Sequence, residues 1–330
     1  MINRAGGRHA TSGPTRRARV TVTVLGAVLA VAAGAGGYLV VASPGRAAPV
    51  AGAAAHPGHA APTGHPIASS APVKTASSAP APQRHPNPLG TAAASYLTTR
   101  QGTVSVAVYD IHTRQSWSLG QGSPQAEASI VKVDILATLL AERGNSGTSL
   151  PDGDRSLAAQ MIEDSDNDAA TSLWNAVGGA ARIRAFNTEA GLARTTPSSC
   201  VDCPGFPWPG WGLTTTVPTD QLALLRALVG PRPPLTSADG EYALSLMESV
   251  TPSQRWGVSA GIPSGVTVAL KNGWLPLNNA GTDWQINSIG WISGRGRDYL
   301  MAALSTANPD EQYGIDTISR LGTMVWSDMR

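Results

Sequence analysis

The sequence predicts an α+β domain behind a leader and a spacer, with an antiparallel sheet formed by both ends of the domain and a helical lobe inserted between them. Two strand-like runs open the domain and three close it, while the middle follows helical spacing, the order expected of a sheet completed by its own termini. Composition breaks near residue 90. Residues 1–90 hold eight Lys or Arg and no Asp or Glu, and the remainder holds 16 basic against 22 acidic residues. The net charge of +2 thus averages a +8 front and a −6 domain. A negatively charged domain gives no support for nucleic acid as a partner.

Residues 1–19 form a basic leader with Arg4, Arg8, Arg16, Arg17 and Arg19. Residues 20–42, "VTVTVLGAVLAVAAGAGGYLVVA", are uncharged and long enough to span a bilayer. Basic residues before the run and almost none after it fit a signal peptide or transmembrane anchor whose start stays in the cytoplasm. Small residues near Ala42 and Ala47–Ala48 suit cleavage, and no cysteine follows directly to carry a lipid. The expected location is outside the cytoplasm, either secreted or held to the membrane by the uncleaved segment. Residues 43–92 are rich in Ala and Pro and lack aromatics, the composition of a disordered linker that favours polyproline II. Extended, such a tether reaches on the order of 100 Å. Its four histidines (His56, His59, His65, His85) are irregularly spaced among prolines and read as solvated spacer.

The domain itself is expected over residues 93–330. "GTVSVAVYDIHTRQSWSLG" alternates well enough for a β-hairpin around the turn "DIHTR". "AEASIVKVDILATLLAERG" reads as an amphipathic helix with Ile130, Val133, Ile135, Leu136, Leu139 and Leu140 on its apolar side. Helical patterns continue through "SLAAQMIEDSD", "DAATSLWNAVGG", "ARIRAFNTEAGL", "PTDQLALLRALVG" and "ADGEYALSLMESV". Strand patterns return in "GVTVALKNGW", "WQINSIGWISG" and "DYLMAALSTA", and "YGIDTISRLGTMVWSDM" closes the chain as a helix.

Lysine usage points to the chemistry. The domain holds 14 Arg and only two Lys, Lys132 and Lys271. Arginine does not deprotonate in a protein, whereas a buried lysine lowers its pKa and serves as a base. In "SIVK", Ser129 and Lys132 are three residues apart and share one helix face. Ser129 falls at the helix start, where free N–H groups and the positive dipole end favour a developing anion. A serine so placed is a candidate nucleophile with the amine as its proton acceptor. "SDN" (Ser165, Asp166, Asn167) lies between two helical segments, and "KNG" (Lys271, Asn272, Gly273) ends a strand pattern.

Ser-x-x-Lys, Ser-Asp-Asn and a Lys-x-Gly variant of Lys-Thr-Gly, in this order on helix, loop and strand, resemble the signature of penicillin-recognising serine acyltransferases, the class A β-lactamase family in particular. "MIEDSDNDAATSLWNAVGG", "LTTTVPTDQLALL" and "GIPSGVTVALKNG" resemble the surroundings of the family's motifs, and the resemblance covers residues 93–330. It implies a β-lactamase/transpeptidase-like fold and no cofactor. Ser129 would be the acylated nucleophile, Lys132 its proton acceptor or relay, and Ser165 the group passing a proton to the leaving nitrogen. Asn167 would bind substrate amides, and Lys271 would supply positive charge for the Ser165 hydroxyl and the substrate carboxylate. Asn272, Gly273 and Trp274 would line the substrate, with the backbone N–H groups of Ser129 and Trp274 as oxyanion hole; the nearby proline is Pro276, so position 274 keeps its donor.

Several features depart from the pattern. The family's deacylating glutamate has no counterpart in the loop "ARTTPSSCVDCPGFPWPGWGLTTT", whose one acid is Asp202, a substitute base at best. Lys-Thr-Gly has become Lys-Asn-Gly, "WQINSIGW" carries no arginine to supplement carboxylate binding, and the interval from Lys132 to Ser165 is short for the family. The machinery for acylation is complete and that for lactamase turnover is not. The expectation is an exported, monomeric serine hydrolase acting on β-lactam or peptidoglycan-like substrates. Its alternatives are a D-Ala-D-Ala-type peptidase, an esterase, and a cell-wall or penicillin-binding domain without turnover. Cys200 and Cys203, the only cysteines, are candidates for a small disulfide in an exported protein. No metal is expected, because a zinc site needs two further ligands. His112, alone in the domain, falls in the hairpin turn and suits no Ser-His-Asp scheme.

Overall fold

The structure, a computed structural model, describes residues 85–120, 122–145, 150–200, 203, 210–230, 232–278 and 280–329. The basic leader, the 20–42 segment, most of the spacer and Asp202 lie outside the described residues. No helix among the described residues is long and apolar enough to cross a membrane.

The chain enters through α1 (Thr91–Leu97) and then forms β1 (Thr103–Asp110), β2 (Ser116–Leu119) and the short β3 (Gln125–Ala126). A 3-10 turn over Ala128–Ile130 leads into α2 (Val131–Asn145). The helical lobe continues with α3 (Asp152–Glu163), α4 (Asn167–Ala176) and α5 (Gly179–Ala190), and after β4 (Thr215–Thr216) with α6 (Pro218–Val229) and α7 (Ser237–Glu248). Three long strands, β5 (Thr267–Pro276), β6 (Trp284–Gly294) and β7 (Arg297–Asn308), precede the closing α8 (Glu311–Asp328).

The main sheet is antiparallel throughout, in the order β2-β1-β7-β6-β5. Its first and last strands in sequence are neighbours: Thr103 pairs with Thr306 and Asp110 with Tyr299. The α+β class and the sheet built from both ends are thus as the sequence indicates. β6 and β7 are buried without alternation, so both faces of the sheet are covered, as expected when helices pack on each side.

Two features go beyond the sequence reading. Packing begins before residue 93: Leu89 is buried, and the His85 backbone N–H donates to Gln115 Oε1 at 2.8 Å. The α2 helix is also not amphipathic in place. Every residue from Ile130 to Ala141 is buried, because α3, α4, α5 and α7 surround it. A helix wrapped on all sides belongs to the core, and its polar residues are then the informative ones. His112 sits exposed in the β1–β2 turn.

Candidate active site

Ser129 stands in the 3-10 turn just ahead of α2, after Ala128, which adopts the left-handed region at φ 51°. A non-glycine residue there is strained, and surrounding contacts must hold it. They come from β6. Asn287 Nδ2 donates to the Ala126 and Glu127 carbonyl oxygens, both at 2.8 Å, and Gln285 Nε2 donates to Asn287 Oδ1 at 2.7 Å and Gln125 Oε1 at 3.1 Å. These buried amides fix the backbone that delivers Ser129. Edge strand β5 closes on the same turn. A Cβ at Gly273 would lie 2.7 Å from the Ser129 nitrogen and 2.8 Å from the Glu127 oxygen, so only glycine allows this approach. Trp274 follows directly, with its backbone N–H one residue past the contact.

Ser165 lies between α3 and α4, also left-handed at φ 59°. Asp166 explains the turn that follows, since its carboxylate caps α4 by accepting from Ala169 N–H at 2.7 Å. Lys132, fully buried, reaches this loop. Its Nζ donates to the Ser165 carbonyl oxygen at 2.6 Å, to Ser165 Oγ at 3.0 Å and to Asn167 Oδ1 at 2.8 Å. Those bonds account for all three ammonium protons, and Ser129 Oγ is not among the partners. Burial pushes the Lys132 amine down to about 7, against the opposing pull of Asp166.

Lys271 is fully buried as well, and its Nζ donates to the Asn272 carbonyl oxygen at 3.1 Å. Burial, and then the charge of Lys132, hold it well below the ordinary amine range. The amine bonded to Ser165 Oγ is that of Lys132, while the Lys271 amine lies on its neighbour's carbonyl. Asn272, buried on the same strand, is held by backbone carbonyls. Its amide donates to the Gln254 oxygen at 2.7 Å and the Trp256 oxygen at 3.2 Å, which leaves no Nδ2 proton for a carboxylate.

Ser129, Ser165, Asn167 and Trp274 line one cleft of about 380 Å³, together with Trp211 and Gly212. Cys200 and Cys203 are joined as a disulfide. A Cβ at Gly210 would strike the Cys200 carbonyl, so the disulfide packs on the glycine that starts a 3-10 turn over Gly210–Leu213. That turn sets the Trp211 ring with its centroid 5.0 Å from Lys132 Nζ and its Nε1–H on Thr171 Oγ1 at 3.1 Å. In this loop, where the resembled family has a carboxylate, the described residues bring an indole to the lysine. Trp211, Asn287 and Gln285 escaped the sequence reading. The one available signal was a pair of amides two apart within an apolar strand.

The fold is that of class A β-lactamases. The "Crystal structure of TLA-1 extended spectrum Beta-lactamase" matches with TM-score 0.62 and 19% identity, covering 72% of this chain and 97% of that one. A class A β-lactamase from Mycobacterium abscessus matches at 0.59 and 22%, covering 71% and 96%. The Beta-lactamase enzyme family model matches residues 144–329, and the chain belongs to that family. The matched part begins downstream of Ser129 and Lys132. A curated relative, "Putative lipoprotein LppW" of Mycobacterium tuberculosis, is 28% identical over 224 residues, spanning 66% of this chain and 68% of that protein.

Proposed function

We propose that this protein is an exported serine hydrolase of the β-lactamase type that is acylated on Ser129. The observation that carries the reading is Lys132: a buried amine near neutrality, one turn from Ser129 and bonded to Ser165 Oγ. In its neutral form it accepts the Ser129 proton as Oγ bonds to the substrate carbonyl carbon. The resulting oxyanion is stabilised by the Ser129 and Trp274 N–H groups. As the scissile C–N bond breaks, Ser165 Oγ gives its proton to the leaving nitrogen and recovers one from Lys132. With substrate absent the amine rests on Ser165 and Asn167, consistent with catalytic hydrogen bonds that tighten only once substrate is bound.

Release of the acyl group is the weak half-reaction, because the loop sequence offers no glutamate and the described part of it brings Trp211 to Lys132. The basic leader and apolar run, together with a relative named as a lipoprotein, support export. A second reading, a wall-binding domain without turnover, is favoured by the commitment of the Asn272 amide to the Gln254 and Trp256 carbonyls. Intact-mass spectrometry after exposure to benzylpenicillin and to a neutral p-nitrophenyl acyl ester separates the two. The expected result is a persistent acyl adduct from at least one probe, absent in Ser129→Ala. No adduct from either, or equal adducts on wild type and Ser129→Ala, sinks the hydrolase reading.

A further inference from the structure

The cleft beside Ser129 is built against a carboxylate ligand. Lys271 is buried on its neighbour's carbonyl, and both Asn272 amide protons are held by backbone oxygens. Two carboxylates line the cleft instead: Asp164, just after α3, and Glu311, the first residue of α8. Neither forms an ion pair among the described residues, and no described lining residue is Lys or Arg. Trp284 and Pro276 line the cleft along with Glu311, and Trp274 lies two residues before Pro276 on the same strand. A cleft lined by tryptophans and carboxylates attracts cations, and most strongly those with a diffuse, weakly hydrated charge.

We propose that this cleft selects acyl substrates that carry a protonated or quaternary amine, held by Glu311 and the tryptophans that line the same cleft, over substrates that carry a carboxylate. The proposal names the substrate class for the Ser129 acylation argued above and rests on that reading for its kinetic test. Lys132 stays in its role as base, with its amine placed on Ser165 and Asn167.

The test uses three p-nitrophenyl esters of matched size with the full chain: that of γ-trimethylammoniobutyrate, that of its neutral tert-butyl isostere, and the monoester of glutarate. One exposed ion pair plus one cation–π contact predicts acylation of the cationic ester about tenfold faster than the neutral one. The glutarate ester should be the slowest. In Glu311→Gln, with Asp164→Asn as a second variant, the cation-to-neutral ratio should fall severalfold. Each ratio is taken within one protein, so a change in folded fraction cancels. A glutarate ester as fast as the neutral one, or a ratio untouched by both substitutions, overturns the proposal. If none of the esters acylates Ser129, the hydrolase reading fails separately. Tryptophan fluorescence titrated with phenyltrimethylammonium and with benzoate then decides: tighter binding of the cation sustains the charge preference, and equal or tighter binding of benzoate ends it.

Discussion

Lys132 Nζ has its three bonds on Ser165 and Asn167 and the Trp211 ring at 5.0 Å, so its proton affinity is set by what keeps water out. Burial has brought it down to about 7, and the base is its neutral form. The rate of Ser129 acylation should therefore climb as pH rises through about 7 and level off above. Trp211→Ala lets water reach the amine, weakens the desolvation that lowers its pKa, and should move the midpoint upward by roughly one unit. A pH–rate profile of p-nitrophenolate release reads both; a midpoint unchanged in the variant would mean that Trp211 merely fills space. The lysine was legible in the sequence because an arginine-rich domain kept only two. Trp211 was not, since its place depends on a loop and a disulfide that bring it back across the helical lobe. Lys271 and Asn272 illustrate the same limit: the motif located them, but only the folded chain shows that their polar atoms face inward.

Helix α2 was legible as a helix and misleading as to its surroundings. Local periodicity reports one apolar face, whereas burial on every side depends on α3, α4, α5 and α7 arriving from elsewhere in the chain. The consequence falls on Asp134, fully buried with neither oxygen in hydrogen-bonding geometry with a donor. Burial raises its carboxyl from 3.8 to about 7, with the nearby Asn187 amide partly opposing, and buried Glu127 is raised by the same cause and by Asp134 itself. A carboxyl whose folded value exceeds its unfolded one binds its proton more tightly when folded. Its contribution is fully present below about pH 4 and is lost as pH rises to about 7. Asp134→Asn removes that titration while keeping the shape. Measured by denaturant unfolding, the variant should gain on wild type by roughly 2–4 kcal/mol between pH 4 and pH 8. Parallel pH profiles for the two proteins would mean that the carboxyl is not strained in this way.

At the scale of the molecule, the cleft lies where the edge strand β5 meets the helical lobe, so its geometry depends on a sheet that the two ends of the domain must complete together. The strands at both ends were legible from their strand-like runs and their position in the chain. The clasp holding them was not, because Arg100 and Gln101 acquire meaning only against α8. Arg100 donates through Nε to Thr317 Oγ1 at 2.9 Å and through an NH2 group to the Tyr313 oxygen at 3.2 Å, with its guanidinium 3.6 Å from the Tyr313 ring centroid. The Gln101 N–H adds a bond to the Tyr313 hydroxyl at 2.8 Å. Alongside it the β1–β7 ladder joins residues nearly 200 apart, so neither end can leave without opening the sheet between β1 and β7. Unfolding should accordingly be a single transition, with far-ultraviolet and tryptophan signals coinciding. Arg100→Ala removes a stacked cation and two hydrogen bonds and should lower stability by about 1–3 kcal/mol without splitting that transition. Arg100 contributes nothing to the described cleft lining, so Ser129 acylation per folded molecule should be unchanged. Two separated transitions in the wild type would show instead that the helical lobe folds apart from the sheet, and the cleft would then be an interface between two units rather than a feature of one.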